Sequence, residues 1–335
     1  MAFVTFGEIM LRLTPSDHAT RIRTAQSFGV NYAGSESNVA SSLAILGNEV
    51  QFVTKLPLNA LGDACLMSLQ GFGVRTEDIL RGGKRIGAYF IEIGSSIRPS
   101  SVVYDRADSA ISTISSNEFD WQSILKGKQW LFISGITPAL SKSCAEETVK
   151  AARIAKAMGV KVSFDMNFRR TLWKDKNDAR HIFDSILEHT NLLFGNSGVI
   201  QDVYKMSFEG ENAYSRTERA LEKAKEKFGV KNLAFTIREH DSASENRLSG
   251  ICSVDGELTT SSTYNVNVLD RFGTGDAFAA GFLHGLSKKW SSQKCVDFAT
   301  AAFALKHTIK GDQHTSTENE ILSIMDGNTS GHVLR

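Results

Sequence analysis

The chain has 335 residues, with 38 Lys plus Arg against 37 Asp plus Glu and a net charge of +1. So even a balance leaves no electrostatic footprint for nucleic acid or a membrane surface as the main partner. Hydrophobic residues at 41% and charged residues at 22% are ordinary for a soluble globular protein, at a length that suits one large α/β domain carrying an insertion.

At the N-terminus, MAFVTFGEIM has no basic segment before its apolar run and no long apolar core, so it does not read as a signal peptide. No stretch approaches the roughly 20 apolar residues of a membrane span. Cys65, Cys144, Cys252 and Cys295 show no CxxC spacing and read as buried free thiols rather than a zinc or redox motif. Together these features predict a cytoplasmic protein. Residues 3–6 form a short apolar run ending in Gly7-Glu8, a buried first strand. Residues 11–32, with Arg12, Arg21 and Arg23, have the mixed pattern of strands and turns that leave the main core. Gly34-Ser35 then opens a helix. Val39, Leu43 and Leu46 share a face with Ala40 and Ala44, Asn38 falls in the first turns, and Gly47 ends it. Residues 85–110 alternate apolar and polar side chains, which predicts two strands joined through 95–99 as an appendage on an α/β body.

From Trp130 the pattern is regular. Residues 130–134 read as a strand and 141–158 as a helix closed by Gly159. Residues 161–164 form a strand running into Asp165-Met166-Asn167-Phe168-Arg169. A helix over 178–189 precedes a strand over 192–194, which leads to Asn196. Ser215-Arg216-Thr217-Glu218 has the form of a capping box, opening a helix to Phe228 that Gly229 closes. Residues 233–237 are the next strand, 238–246 a polar, linker-like loop, and 250–264 a further β segment. Closing helices are expected over 295–308 and 317–325, and a loose tail from 326. Strands alternating with helices of this length imply βαβ units and a parallel sheet.

Between those last segments lies VLDRFGTGDAFAAGFL, residues 268–283. Its Gly273-Thr274-Gly275-Asp276 turn directly precedes a helical run, so unpaired N–H groups and a positive dipole end face the turn, which makes an anion site. A carboxylate there repels phosphate, but it suits a general base acting on a hydroxyl that attacks phosphorus. The plainer reading is a glycine turn with Asp276 as a helix cap. Ligands bind outside the carboxyl ends of strands in open parallel sheets. Residues 165–169, Asn196, the loop after Ile237 and the Gly273 turn all follow predicted strands, so the topology brings them to one edge. Each residue also has a plain alternative. Asn38 is then a first-turn polar residue, Tyr89 and Tyr104 sheet aromatics, and Arg106 a surface pair with Asp105 or Asp108. Asp165 and Asn167 become turn formers, and Arg169 with Arg170 a solvated pair. The eight histidines form no metal-ligand array.

Ala33-Gly34-Ser35-Glu36-Ser37-Asn38 before an apolar helix, with Asp270 and Gly273-Thr274-Gly275-Asp276 near the C-terminus, resembles the two signatures of the PfkB (ribokinase-like) carbohydrate kinases. Order and spacing match over almost the whole chain. Tyr89, Tyr104-Asp105-Arg106 and residues 165–169 resemble the members of that family acting on keto-deoxy sugar acids. The resemblance implies a ribokinase-like α/β fold, a central mostly parallel sheet flanked by helices, as one domain over residues 1–335. It also implies a small β-sheet lid from 11–32 and 85–110, which in this family often joins two copies into a homo-oligomer. It implies ATP, Mg²⁺ and transfer of the γ-phosphoryl to the 6-hydroxyl of 2-keto-3-deoxygluconate. Other acceptors (fructose, ribose or a nucleoside) or a non-catalytic sugar-binding regulator remain alternatives, though loss of the base would mark the regulator and Asp276 is present.

By matching positions, the resemblance makes Asp276 the base and Gly273, Thr274 and Gly275 the anion hole. Gly34, Ser35 and Asn38 would face sugar hydroxyls and Tyr89 would cover the sugar. Tyr104, Arg106, Asn167 and Arg169 would hold its acid end, and Asp312 would make a further sugar contact. Asn196, Thr236, Arg238 and Asp241, with Gly273 and Gly275, would line the ATP site, and no metal ligand is assigned. Arg106 and Arg169 are expected to meet over a substrate carboxylate that gives a desolvated guanidinium its partner. The chain departs from the family pattern at Ser35, at Arg271, at Val199 in place of Glu, and in the glycine-free Arg238-Glu239-His240-Asp241. Arg271 is thereby placed to reach toward phosphate.

Overall fold

The computed structural model describes residues 1–17, 20–173, 175–329 and 331. A nine-stranded sheet forms its centre. Its order is Glu257–Thr260, Glu245–Val254, Asn232–His240, Leu192–Gly195, Lys161–Asp165, Trp130–Ser134, Ala2–Phe6 and Glu49–Val53. From Asn232–His240 to Glu49–Val53 the neighbours are parallel; the strands beyond are antiparallel. Tyr264–Asn267 pairs with Glu245–Val254 as well.

The parallel strands are buried on both faces because helices cover both, and residues of opposite parity feed two separate cores. Leu131 and Ile133 pack with Phe164, Leu193 and Phe235 on one side. Trp130 and Phe132 pack with Phe194, Phe278 and Phe282 on the other. This sandwich holds the strand ends rigidly, which is what a site built on them needs.

A separate four-stranded sheet has the order Phe28–Ala33, Met10–Pro15, Ala88–Glu92, Ser101–Asp105. Its strands come from the two stretches expected to leave the main core. Its inward face carries Met10, Ala33, Tyr89 and Ile91. Arg12 is in phase with Met10 and Thr14 on that buried face.

Some local expectations need correction. The helix predicted from Ser215 is Ala213–Phe228, and its capping box uses Asn212, whose side chain accepts from the Ser215 amide at 2.9 Å. Asparagine caps as well as serine does, so the earlier residue takes the position. The stretch 238–246 is no linker. Asn232–His240 and Glu245–Val254 pair as an antiparallel hairpin out to His240 and Asn246. The strand Glu49–Val53 and the helix Ala60–Gly71 are additional elements. Of the tail expected to be loose, residues 330 and 332–335 lie outside the described residues.

Candidate active site

Two helices begin at the carboxyl edge of the central sheet, and their first turns face each other. Ser35–Ile45 starts after Gly34 and Thr274–Ser287 after Gly273. Both glycines are required by space: a Cβ at Gly34 would lie 1.9 Å from the Glu8 carbonyl oxygen, and one at Gly273 1.8 Å from that of Asp312. Gly273 also has φ +73°, in the left-handed region.

Asp276 lies between these helix starts and is 7% exposed. Ser35 Oγ donates to its Oδ1 and Asn38 Nδ2 to its Oδ2, each at 2.7 Å. Asn167 Nδ2 in turn donates to Ser35 Oγ at 2.9 Å. The helix gains no side-chain cap from Asp276, so the capping alternative falls away. Burial pushes its carboxyl up to about 7, against the pull of the Asn38 and Ser35 hydrogen bonds and with help from Asp165 and Asp312. A proton acceptor poised near neutrality is what general-base chemistry needs.

On one side of Asp276 opens a small cleft of about 80 Å³, bounded by the small sheet and by Gly34, Ser35, Asn38, Asn167 and Arg169. Tyr89 stacks on Tyr104 with centroids 6.0 Å apart, and its hydroxyl donates to Asp312 Oδ2 at 3.0 Å. Asp312 also pairs with the fully buried Arg12, which reaches Asp270 Oδ2 at 2.5 Å. The Gly311 and Phe272 amides donate to the same Asp270 carboxylate, at 3.0 and 3.1 Å. This network ties the small sheet to the loops flanking the C-terminal helices. Sequence reasoning assigned Arg12 no role, although its phase with Met10 and Thr14 was the available signal.

Arg106 lines the same cleft, as expected, but its guanidinium already has a partner within the protein. It is buried and needs no ligand as its counter-charge: Nε donates to Glu8 Oε2 at 2.9 Å and Nη2 joins it. Ser109 Oγ donates to Glu8 Oε1 at 2.5 Å. Glu8 directly follows the first strand, so it sits at the sheet edge beneath the Arg106 guanidinium. A charged residue just past a buried strand was the signal for it. The surface pairing of Arg106 with Asp105 is also excluded, since Asp105 pairs with Arg85. Arg169 is exposed and makes no side-chain hydrogen bond or ion pair among the described residues, while Arg170 pairs with Asp202. Beside the cleft, Glu36 is fully buried. The Ser134 and Thr137 hydroxyls donate to its Oε1, its Oε2 has no partner among the described residues, and burial pushes it up to about 7.

The second cleft is larger, about 820 Å³, and joins the first along Tyr104, Asn167, Arg169, Phe272, Gly273 and Asp276. Thr236, Arg238, Arg271, Thr274, Gly275 and Asp165 line it. Arg238 Nη2 donates to Thr274 Oγ1 at 2.9 Å, and its guanidinium lies 5.2 Å from the Phe303 ring centroid. Asn196 also lines it, as the cap of Ser197–Tyr204, accepting from the Val199 amide at 3.0 Å. Asp165 accepts from the Asn167 amide, and burial pushes its carboxyl up to about 6. Asp241 is absent from the cleft. The hairpin carries it past the sheet edge, where it accepts from Arg247 at 2.9 Å.

The donor set of this cleft fits a polyphosphate. Helix-start amides and two guanidiniums face it, and the Arg238 Nε is buried without a partner among the described residues. It does not form a protein cage for magnesium: no group of three or more His, Cys, Asp or Glu able to hold a metal exists among the described residues. Position 199 is valine and the Asn196 side chain is engaged as a cap.

The sequence profile of the pfkB family carbohydrate kinases matches residues 2–319. A 2-dehydro-3-deoxygalactonokinase from Haloferax volcanii is 31% identical over 328 residues, covering 98% of each chain. A 5-dehydro-2-deoxygluconokinase from Clostridium perfringens is 25% identical over 317 residues, covering 93% of this chain and 89% of its own. Among solved structures, the 2-dehydro-3-deoxygluconokinase of Thermotoga maritima has a TM-score of 0.93 at 44% identity, covering 98% of both chains.

Proposed function

The chain belongs to the pfkB family of carbohydrate kinases, phosphotransferases with an alcohol acceptor on a ribokinase-like fold, and from that premise we propose that it transfers the γ-phosphoryl of ATP to the 6-hydroxyl of 2-keto-3-deoxygluconate. The observation that carries this reading is the position of Asp276 on the wall shared by the two clefts. The keto-deoxy acids named for the relatives support an acid acceptor.

In this reading the sugar acid lies in the smaller cleft, with the small sheet as its lid and Tyr89 and Tyr104 over it. Arg169, open in the cleft, pairs with its carboxylate. Gly34, Ser35 and Asn38 set the sugar against Asp276. The acceptor hydroxyl gives its proton to the Asp276 carboxylate as its oxygen bonds to the γ-phosphorus; the bond to the β-bridging oxygen breaks and ADP leaves. The amides at Gly273, Thr274 and Gly275 stabilise the charge on the transferring group. Magnesium would enter on the nucleotide phosphates, with water completing its shell. Val30 and Val103, each 55% exposed on the small sheet, support pairing of two copies through that sheet, which sedimentation of the purified protein tests. Among the described residues no helix is long and apolar enough to cross a membrane.

The test is ADP release with 2-keto-3-deoxygluconate, its C4 epimer, 5-dehydro-2-deoxygluconate, fructose and ribose, with ³¹P NMR locating the product phosphate. Turnover on a keto-deoxy acid with phosphate on carbon 6 is expected. Preference for fructose or ribose overturns the acid reading. Absence of ADP release with every acceptor overturns catalysis and leaves a sugar-binding protein.

A further inference from the structure

Among the buried and half-buried arginines, those around the smaller cleft are neutralised within the protein. Arg12 lies between Asp270 and Asp312, and Arg106 lies on Glu8. Arg238 and Arg271 are different. Both line the larger cleft, one from the strand Asn232–His240 and the other from the loop before Gly273. Neither forms an ion pair with a carboxylate among the described residues, and the one side-chain hydrogen bond from Arg238 goes to a hydroxyl, that of Thr274. Its Nε is buried without a partner among the described residues. Burial and the nearby Arg271 charge lower the Arg238 guanidinium to about 9, and burial lowers Arg271 as well.

Two guanidiniums and a helix N-terminus therefore converge on one space, with their mutual repulsion uncompensated. The carboxylates on the same cleft wall are engaged elsewhere, Asp165 with the Asn167 amide and Asp276 with Ser35 and Asn38, and neither pairs with these guanidiniums among the described residues. A desolvated cation pair of this kind is costly unless a ligand brings several negative charges. Guanidinium forks match phosphate oxygens in paired hydrogen bonds.

We propose that Arg238 and Arg271 act together as a clamp on the polyphosphate of the donor nucleotide, so that this chain selects its donor by phosphate charge more than by the base. The inference rests on the kinase reading and names the residues that choose its co-substrate. It predicts a steep loss of affinity from ATP to ADP to AMP, and measurable binding of inorganic tripolyphosphate, which has no base at all.

The test is calorimetric titration of the full chain, without acceptor sugar, using ATP, ADP, AMP, adenosine and tripolyphosphate. Wild type is compared with Arg271→Ala, on a half-buried loop position that leaves the core intact, and with Arg238→Lys, which keeps the charge but loses the fork. Arg271→Ala should weaken ATP and tripolyphosphate by roughly 10- to 100-fold and leave adenosine within about threefold. It should also flatten the salt dependence of ATP binding. Arg238→Lys should weaken ATP by a smaller factor. In turnover, KM for ATP should rise while KM for the sugar acid holds. If wild type binds ATP and both variants match it, or if adenosine and ATP weaken equally, the clamp is wrong and the kinase reading stands. If wild type binds none of the nucleotides, the kinase reading falls and the clamp falls with it.

Discussion

The two clefts that meet at Asp276 handle charge in opposite ways. In the acceptor cleft the protein closes its own circuits: Glu8 holds Arg106, and Asp270 and Asp312 hold Arg12. One guanidinium, that of Arg169, is left open, matching the single carboxylate of a sugar acid. In the proposed donor cleft Arg238 and Arg271 have no carboxylate partner among the described residues, matching a ligand with several negative charges. A compact monoanion cannot offset many unpaired buried cations, so the acceptor side must be balanced before it arrives; a polyphosphate can, so the donor side need not be. On the proposed reading, acceptor recognition rests on one open guanidinium with shape and hydrogen bonds, and donor recognition on several charges.

The wall between the clefts is the place to press first. Asp276→Asn keeps the shape and removes the proton acceptor, so kcat should fall by roughly 10²–10⁴-fold while both substrates still bind. Turnover near wild type would put the base elsewhere. Because burial lifts the Asp276 carboxyl to about 7 and the ionised form is the active one, the rate should drop as pH falls through neutrality. A flat profile from pH 5 to 8 would contradict that role.

Breaking a closed circuit should cost stability rather than selectivity. Arg12→Ala leaves Asp270 and Asp312 buried without their cation, and denaturant unfolding should show a loss of about 3–5 kcal/mol. An unchanged midpoint would mean that the network contributes nothing to joining the small sheet to the body. The acceptor arginines then separate cleanly. Arg169→Ala should lower kcat/KM for the acid about 10- to 100-fold with the melting temperature unchanged and activity on neutral sugars little affected. Arg106→Ala should lower the melting temperature as well, because Glu8 is uncovered. Equal behaviour of the two variants would erase the distinction between open and paired guanidiniums.

The smallest effect concerns Glu36. Its ordinary value is 4.5 and burial lifts it to about 7 in the fold. Below the ordinary value it is protonated in both states. As pH rises from there toward about 7, only the unfolded chain ionises, so its contribution to stability declines and stays low above. Glu36→Gln removes that decline, and its melting temperature should gain on wild type between those pH values. Parallel curves for the two proteins would exclude it.

Short-range order was legible in the chain itself. The alternation that divides Leu131 and Ile133 from Trp130 and Phe132, the helix starts after Gly34 and Gly273, and the small sheet all follow from periodicity and turn chemistry acting over a few residues. So did the convergence of Asn167 with the Gly273 turn and Asp276, because strand ends of a parallel sheet share one edge, whereas Ser35 and Asn38 were placed there by the family resemblance. Where a polar side chain finds its counter-charge was decided only by tertiary structure. Arg106 and Glu8 are 98 positions apart, and Arg12 is 258 and 300 positions from Asp270 and Asp312. Asp241 left the site for a similar reason: pairing between two strands carried it outward, and a propensity read along one segment does not report such pairing. Periodicity and capping are properties of neighbours along the chain, whereas the partner of a buried charge depends on which distant segments the packed cores bring within reach, and that distance separates the closed acceptor cleft from the open donor cleft.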